Sequence, residues 1–88
     1  MWYVYILVSK KYKKYIYVGS TNNIGRRLSE HNRKDSKLAT SPYQPLVLVG
    51  YVAVKSEQTA RRLEKYFKVG SGKAFVKKRI LPDEAQRA

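Results

Sequence analysis

The side chains of this sequence that could do chemistry include an arginine and a histidine at helical spacing. Arg27 and His31 are four residues apart, so they lie on one helix face beside the apolar stripe that contains Ile24 and Leu28. An arginine in this position can clamp a phosphate with its guanidinium fork, or it can extend past the stripe into solvent. The spacing therefore indicates an anion site, with a solvated arginine as the alternative.

A divalent metal ion would need at least one carboxylate, and the sequence restricts the choice. Four acids precede the last residues of the chain: Glu30, Asp35, Glu57 and Glu64. We expect Glu30 to point away from the arginine, Asp35 to lie in a loop and Glu57 to occupy a helix start. Glu64 remains, at the edge of a buried helical stripe, and its alternative role is an ion pair with Lys68.

Tyrosines occupy alternate positions in two neighbouring segments that are rich in β-branched and aromatic residues. Tyr3 and Tyr5 share one face of the first predicted strand, and Tyr15 and Tyr17 share one face of the second. An antiparallel hairpin can place these pairs side by side. Cross-strand aromatic packing accounts for such pairs without any chemistry, so both interpretations remain.

Hydrophobic periodicity predicts three strands and three helices that must position these residues. The strands are predicted at residues 2–8, 15–18 and 46–54. The first helix is predicted at residues 23–33, the second begins after Ser56 as its N-cap, and the third is predicted at residues 73–80. The third strand is apolar at both its odd and its even positions, which predicts a central strand covered on both faces. Gly50 in its middle predicts a bulge or a close approach of another segment. Thr21 or Asn22 should cap the first helix. Residues 70–72 should break the chain, Pro82 should end the third helix, and the loop 35–45 should be loosely ordered.

Charge is the strongest bulk feature of this 88-residue chain. Nineteen Lys and Arg residues face six acids, which gives a formal net charge of +13. Such a field attracts polyanions and makes binding depend on salt. Nucleic acid is the favoured partner; general solubility and attraction to an anionic membrane are the alternatives, and no long amphipathic anchor supports the membrane.

The length and the rare residue types set further limits. The chain is long enough for one domain with one core. Cysteine is absent and histidine occurs once, which argues against disulfides and against zinc. The longest apolar run is too short to span a bilayer and has no basic leader, so the expected location is the cytoplasm.

Four pieces of the sequence, in this order, resemble the GIY-YIG nuclease superfamily: Tyr3-Val4-Tyr5, Tyr17-Val18-Gly19, Arg27 with His31, and Glu64. Residues 64–72 are also similar to the Glu-x-x-x-Lys-x-Gly-x-Gly pattern of its small stand-alone bacterial members, which are related to the incision domain of the excision-repair nuclease. The resemblance spans residues 2–80. The first triplet is Tyr-Val-Tyr rather than Gly-Ile-Tyr, the second is Tyr-Val-Gly rather than Tyr-Ile-Gly, and residues 70–73 lack the asparagine that some members carry near the final helix.

The resemblance implies a metal-dependent endonuclease that hydrolyses DNA phosphodiester bonds, selects DNA by its structure and serves repair or recombination. It implies an α+β fold, a three-stranded antiparallel sheet flanked by helices, in agreement with the predicted order β-β-α-β-α-α. The nuclease domain would span residues 1–81 and a short tail residues 82–88. The alternative is a nucleic-acid-binding module with this fold and little catalysis. A basic RNA-associated protein would explain the charge but not the ordered Tyr, Arg and Glu residues.

The resemblance also implies roles for individual residues. The catalytic set would be Tyr5, Tyr17, Arg27, His31 and Glu64, which we expect to converge in one concave patch on a sheet face. Glu64 would hold one Mg²⁺ or Mn²⁺ ion, Arg27 would stabilise phosphoryl charge, and Tyr5 or Tyr17, ahead of His31, would accept a proton from the attacking water. Substrate contacts would come from Tyr3, Gly19, Ser20, Arg26, Lys68 and Lys73. The expected partner is DNA, with RNA as the alternative and a protein partner as a source of specificity; no membrane partner is expected, and the sequence assigns no oligomeric state.

Overall fold

The fold is a three-stranded antiparallel sheet with helices on both faces. A computed structural model describes residues 1–82, in the order β1 (Trp2–Ser9), β2 (Ile16–Thr21), α1 (Ile24–Asn32), β3 (Leu46–Val54), α2 (Glu57–Lys68) and α3 (Gly70–Phe75). A 3₁₀ turn at Ser41–Tyr43 precedes β3, and a π-helical segment at Val76–Ile80 continues α3. The predicted α+β class and element order are confirmed. Residues 83–88 of the predicted tail lie outside the described residues.

The central strand is β1, and not the third strand as predicted. The strand order is β2-β1-β3. Along β1, Val4, Ile6 and Leu7 are fully buried. On β3, by contrast, Tyr51 is 56% exposed. The prediction was wrong because helices cover both faces of this sheet, so an edge strand here also carries apolar residues on both parities.

Side-chain alternation along β1 divides the core into two apolar layers. Val4 and Ile6 pack with Phe67 of α2 on one face. Tyr5 packs with Leu28 of α1 on the other. The two tyrosine-bearing strands therefore present their tyrosines to α1, while α2 and the C-terminal helical segments cover the opposite face.

Side chains that precede α1 and α2 cap the N-termini of these two helices. Asn23 caps α1, since its Oδ1 accepts a hydrogen bond from the backbone N–H of Arg26 at 3.0 Å. Thr21, one of the two predicted caps, instead accepts from the N–H of Asn23 at 3.1 Å. Ser56 caps α2 as predicted, by accepting from the N–H of Thr59 at 3.2 Å.

The break between α2 and α3 is shorter than predicted. Only Val69, with an extended φ of −138°, separates the two helices, and α3 already begins at Gly70. The helical path ends at Ile80, shortly before Pro82, as predicted. Within residues 1–82 no helix has the length and apolar character needed to cross a membrane.

Gly50 lies both at a β-bulge and at a close approach of another segment, the two features predicted for it. In the ladder between β1 and β3, Ile6 pairs with Gly50 but Leu7 pairs with Leu48, so a bulge lies between these pairs. A Cβ at Gly50 would lie only 2.9 Å from Cγ2 of Ile80. The glycine therefore lets the C-terminal helical segment pack closely on β3.

The segment between α1 and β3 is packed rather than loosely ordered, in contrast to the prediction. The ring of Tyr43 stacks on that of Tyr15, with centroids 3.7 Å apart. The amide of Gln44 donates to the carbonyl oxygens of His31 and Arg33, each at 2.8 Å. These contacts close the segment over the end of α1 and carry Thr40 into the interior.

Candidate active site

A buried hydrogen-bond chain links β1, α1 and the following loop. The hydroxyl of Tyr5 lies 2.9 Å from Nε2 of His31, and Nδ1 of His31 lies 2.6 Å from Oγ1 of Thr40. His31 and Thr40 are each 1% exposed. Thr40 is a site residue that the sequence analysis missed, because it falls in a non-periodic stretch of small polar residues with no signal of burial.

The two titratable groups of this hydrogen-bond chain, Tyr5 and His31, are uncharged at neutral pH. Burial raises the pKa of Tyr5 to about 12, although a hydrogen bond with Arg27 opposes the shift. Burial, followed by the positive charge of Arg27, lowers the pKa of His31 below its ordinary value. Arg27 lies near Tyr5 and its guanidinium carries only donors, so we assign the Tyr5 O–H as donor to Nε2 and the Nδ1–H as donor to Thr40.

Tyr17 completes an aromatic cluster on the same face of the sheet. Its ring centroid lies 6.1 Å from that of Tyr5 and 5.1 Å from that of His31. Unlike Tyr5, it is only half-buried. The ammonium of Lys68 lies 5.8 Å from the centre of its ring. Tyr17 therefore lies between the buried hydrogen-bond chain and the solvent-exposed edge of β2.

Arg27 lies at the mouth of this cluster and keeps its positive charge. Its Nη1 donates to Oε1 of Glu30 at 2.9 Å, and the two side chains are 33% and 35% exposed. Hydrogen bonds with Glu30 and then Tyr5 raise the pKa of Arg27 above its ordinary value. The expectation that Glu30 points away from Arg27 was wrong, since residues three apart on a helix are neighbours.

Glu64 reaches the edge of the site from the opposite side of the sheet. Its Oε1 accepts from the hydroxyl of Ser20 at 2.7 Å, and its Oε2 accepts from the ammonium of Lys68 at 2.7 Å. Burial opposes ionisation, but the bonds from Lys68 and Ser20 outweigh it and lower the pKa of Glu64. The carboxylate is thus ionised at neutral pH.

The expectation of one shared sheet face therefore holds for four of the five residues and not for Glu64. The helix that carries Glu64 packs on the Val4 and Ile6 face, whereas Tyr5 and Tyr17 face α1. The connection runs around the edge strand β2, through Lys68 to the ring of Tyr17. This is feasible because β2 has no further strand beyond it within the sheet of the described chain.

The structure gives Gly19 a packing role, and its expected close approach to a substrate stays a prediction. A Cβ at this position would lie 2.6 Å from the hydroxyl of Tyr5 and 2.9 Å from Cε2 of Tyr17. Gly19 lies directly opposite Tyr5 in the β1–β2 ladder. The missing side chain therefore makes room for the two tyrosine rings.

The remaining residues predicted to contact a substrate surround this centre. Arg26 is exposed, and its Nη2 donates to Oδ1 of Asn22 at 3.1 Å. Lys73 and Lys68 line a cleft of about 340 Å³ beside Tyr17. Tyr3 lies two residues before Tyr5, and its ring contacts that of Tyr51. Arg26, Lys68 and Lys73 thus add positive charge around the tyrosine cluster.

The stability of the fold should depend on pH through His31. As pH falls below about 6.5, the unfolded chain gains a proton that the folded chain does not bind, because the folded pKa is lowered. The free energy of unfolding should therefore be highest above pH 6.5 and should fall below it, by at most about 1.4 kcal/mol per pH unit. Urea denaturation at pH 7.5 and 5.5 measures this change.

His31→Gln is the control for that measurement, since the sequence contains only one histidine. This variant should lose most of the difference between the two pH values, even if it is less stable at both. An equal pH dependence in the wild type and in His31→Gln would contradict the assignment of His31 as a neutral, buried group.

The comparisons with known proteins gave one finding. The family model described as GIY-YIG catalytic domain matches residues 1–79. Neither the curated proteins nor the solved structures gave a match. The matched range contains all of the residues predicted to be catalytic, from Tyr5 to Glu64, and the resemblance identified in the sequence is confirmed.

Proposed function

The chain belongs to the GIY-YIG family, and we propose that it is a metal-dependent endonuclease that hydrolyses DNA phosphodiester bonds. GIY-YIG domains are in general endonuclease domains that act on DNA and typically use a divalent metal ion, so a nuclease-type domain is present. The observation that carries the finer proposal is the cluster of Arg27, Tyr5 and Tyr17 on one sheet face, which Lys68 links around the edge of β2 to the ionised Glu64. We assign the substrate preference to structured DNA of the kind formed in repair or recombination.

Arg27 would hold the phosphate that is cut. Its guanidinium is partly exposed and bonds to Glu30 through one nitrogen. The fork geometry of arginine leaves further N–H groups for two phosphoryl oxygens. Tyr5 and Glu30 restrict its rotamers, so the charge is positioned before the substrate binds, which is the condition for stabilising a transition state.

Tyr17 is the proton acceptor that this arrangement favours over Tyr5. Tyr5 is 2% exposed, and its pKa of about 12 means that forming its phenolate at pH 7 would cost about 7 kcal/mol. Tyr17 is only half-buried and lines an open cleft, which leaves part of its side chain open to water and to a phosphate. Tyr5, together with His31 and Thr40, would act as a positioning group for Arg27.

Glu64 would be the residue that holds the metal ion. Its carboxylate is ionised, supplies hard oxygen donors and is partly exposed. Within residues 1–82 no group of three or more His, Cys, Asp or Glu residues could bind an ion by itself. The donor set therefore fits Mg²⁺ or Mn²⁺ with water and phosphate oxygens as the other ligands, and does not fit a closed structural site. A bound ion would supply positive charge to the leaving oxygen.

The function is tested by incubating the protein with labelled duplex, nicked, flapped and branched DNAs and with RNA, with Mg²⁺, with Mn²⁺ or with a chelator. We expect cleavage of at least one structured DNA that requires the metal ion, and strong loss of cleavage in Tyr17→Phe. Binding of DNA without cleavage of any substrate would instead support the alternative function of a nucleic-acid-binding module.

DNA binding itself should weaken steeply with salt. The net charge is +13, and each phosphate that a lysine or arginine neutralises adds about 0.9 to the slope of log affinity against log salt. If six to ten phosphates are contacted, the affinity should fall by roughly 10³ to 10⁵ between 50 and 200 mM salt. A fluorescence-anisotropy titration of a labelled duplex measures the slope, and a flat response would exclude nucleic acid as the main partner.

A further inference from the structure

Resting on the nuclease function proposed above, we infer that a cleft between Tyr3, Tyr51 and the start of α1 binds an unpaired nucleobase next to the phosphate that is cut. The preferred substrate would then be DNA with a single-stranded or unstacked nucleotide at the cleavage site. The family resemblance does not assign Tyr51, Asn22 or Asn23, and none of them belongs to the catalytic set.

Two tyrosines form the aromatic wall of this cleft. The rings of Tyr3 and Tyr51 meet edge to face, with centroids 5.8 Å apart and planes at 76°. Tyr51 remains 56% exposed although it lies within β3. The cleft has a volume of about 470 Å³, within the range of ligand-binding clefts. A ring that is held by its neighbour but open to solvent is a surface on which a nucleobase can stack.

Two asparagines and an isoleucine line the same cleft. Oδ1 of Asn22 accepts from Arg26, and Oδ1 of Asn23 accepts from the backbone of α1. None of the hydrogen bonds found within residues 1–82 uses the amide nitrogen of either residue. These nitrogens can therefore donate to the acceptor atoms on the edge of a base, as asparagine amides do in nucleic-acid recognition.

The cleft lies directly beside the catalytic cluster. Tyr51 is opposite Tyr5 in the β1–β3 ladder, and Tyr3 is on the same face two residues earlier. Side chains opposite one another in a ladder have Cβ atoms about 5 Å apart. A nucleotide in the cleft would therefore adjoin the phosphate held by Arg27, with the exposed Arg26 beside it.

An unpaired nucleotide is the occupant that fits this position. Inside a continuous duplex both faces of a base are covered by its neighbours, so the base must leave the stack before it can lie on Tyr51. That step is easiest where the nucleotide is already unpaired, as in a flap, a gap or a mismatch. The cleft thus selects DNA by structure rather than by sequence.

The test uses two DNAs of the same sequence, one fully paired and one with a short unpaired tract that contains 2-aminopurine, whose fluorescence falls when it stacks. Affinity and quenching are measured in a chelator, so that no cleavage is needed. We expect tighter binding and quenching with the unpaired tract, and a loss of roughly 5- to 150-fold in its affinity for Tyr51→Leu. Tyr51→Phe, which keeps the ring, should restore both, and affinity for the paired duplex should stay unchanged.

Tyr66→Leu is the matched control, because Tyr66 is similarly exposed at 49% but lies on α2. Equal effects of Tyr51→Leu and Tyr66→Leu, or equal wild-type affinity for both DNAs, would overturn the inference. The nuclease proposal has its own test: it fails if the wild type cleaves no DNA with a metal ion present. A selective effect of Tyr51→Leu on binding and quenching would then still support the base-binding cleft.

Discussion

Arg27→Ala should reduce the rate of DNA cleavage by roughly two to three orders of magnitude, because removing one preorganised donor to developing charge typically costs that much. The side chain is about one-third exposed, and alanine is a better helix former than arginine, so α1 should tolerate the change. Binding of DNA should weaken much less, since one of many positive charges is lost. Single-turnover cleavage measured beside a binding titration separates the two effects.

Arg33→Ala is the matched control for Arg27→Ala. Arg33 follows α1, pairs with Asp35 and is exposed, so its replacement removes the same charge without touching the tyrosine cluster. It should keep a cleavage rate within a few-fold of the wild type. Arg27→Lys keeps the charge but not the fork, and it should cleave at an intermediate rate. Equal losses in Arg27→Ala and Arg33→Ala would reduce the role of Arg27 to general electrostatics.

Glu64→Ala should abolish metal-dependent cleavage and leave DNA binding unchanged or slightly tighter. The carboxylate would be the protein's ligand to the metal ion, whereas for binding it is a negative charge on a basic surface. The structural cost should be small, because alanine favours helix and a partly exposed ion pair with Lys68 contributes little. The same cleavage and binding assays, with a titration of Mn²⁺, measure both outcomes.

Glu57→Ala provides the comparison for Glu64→Ala within the same helix. Glu57 also accepts from a cation four residues later, Arg61, but it lies in the first turn of α2, away from Ser20 and Tyr17. Its replacement should leave the metal requirement and the rate unchanged. Cleavage by Glu64→Ala at the wild-type rate would refute the metal-binding role.

The candidate site could be predicted from the sequence only where spacing along one element decides which residues meet. Arg27 and His31 share a helix face by period alone, and the parity of β1 separates Tyr5 from Val4 and Ile6. The partner of His31 could not be predicted, because Thr40 lies in an irregular segment whose path depends on the stacking of Tyr43 on Tyr15. Such contacts join residues that no periodicity relates.

The sequence by itself determined the types of the elements, their order and the family, because hydrophobic period, capping residues and the motif are local properties. Ser56, for example, caps α2 wherever that helix packs. Only the tertiary structure decided that β1 rather than β3 is central and that Lys68 links Glu64 to Tyr17 around the edge of β2. It also decided that Gly19 makes room for the tyrosine rings. These outcomes depend on which strands pair and which face each helix covers, and long-range packing energies, not local propensity, determine that choice.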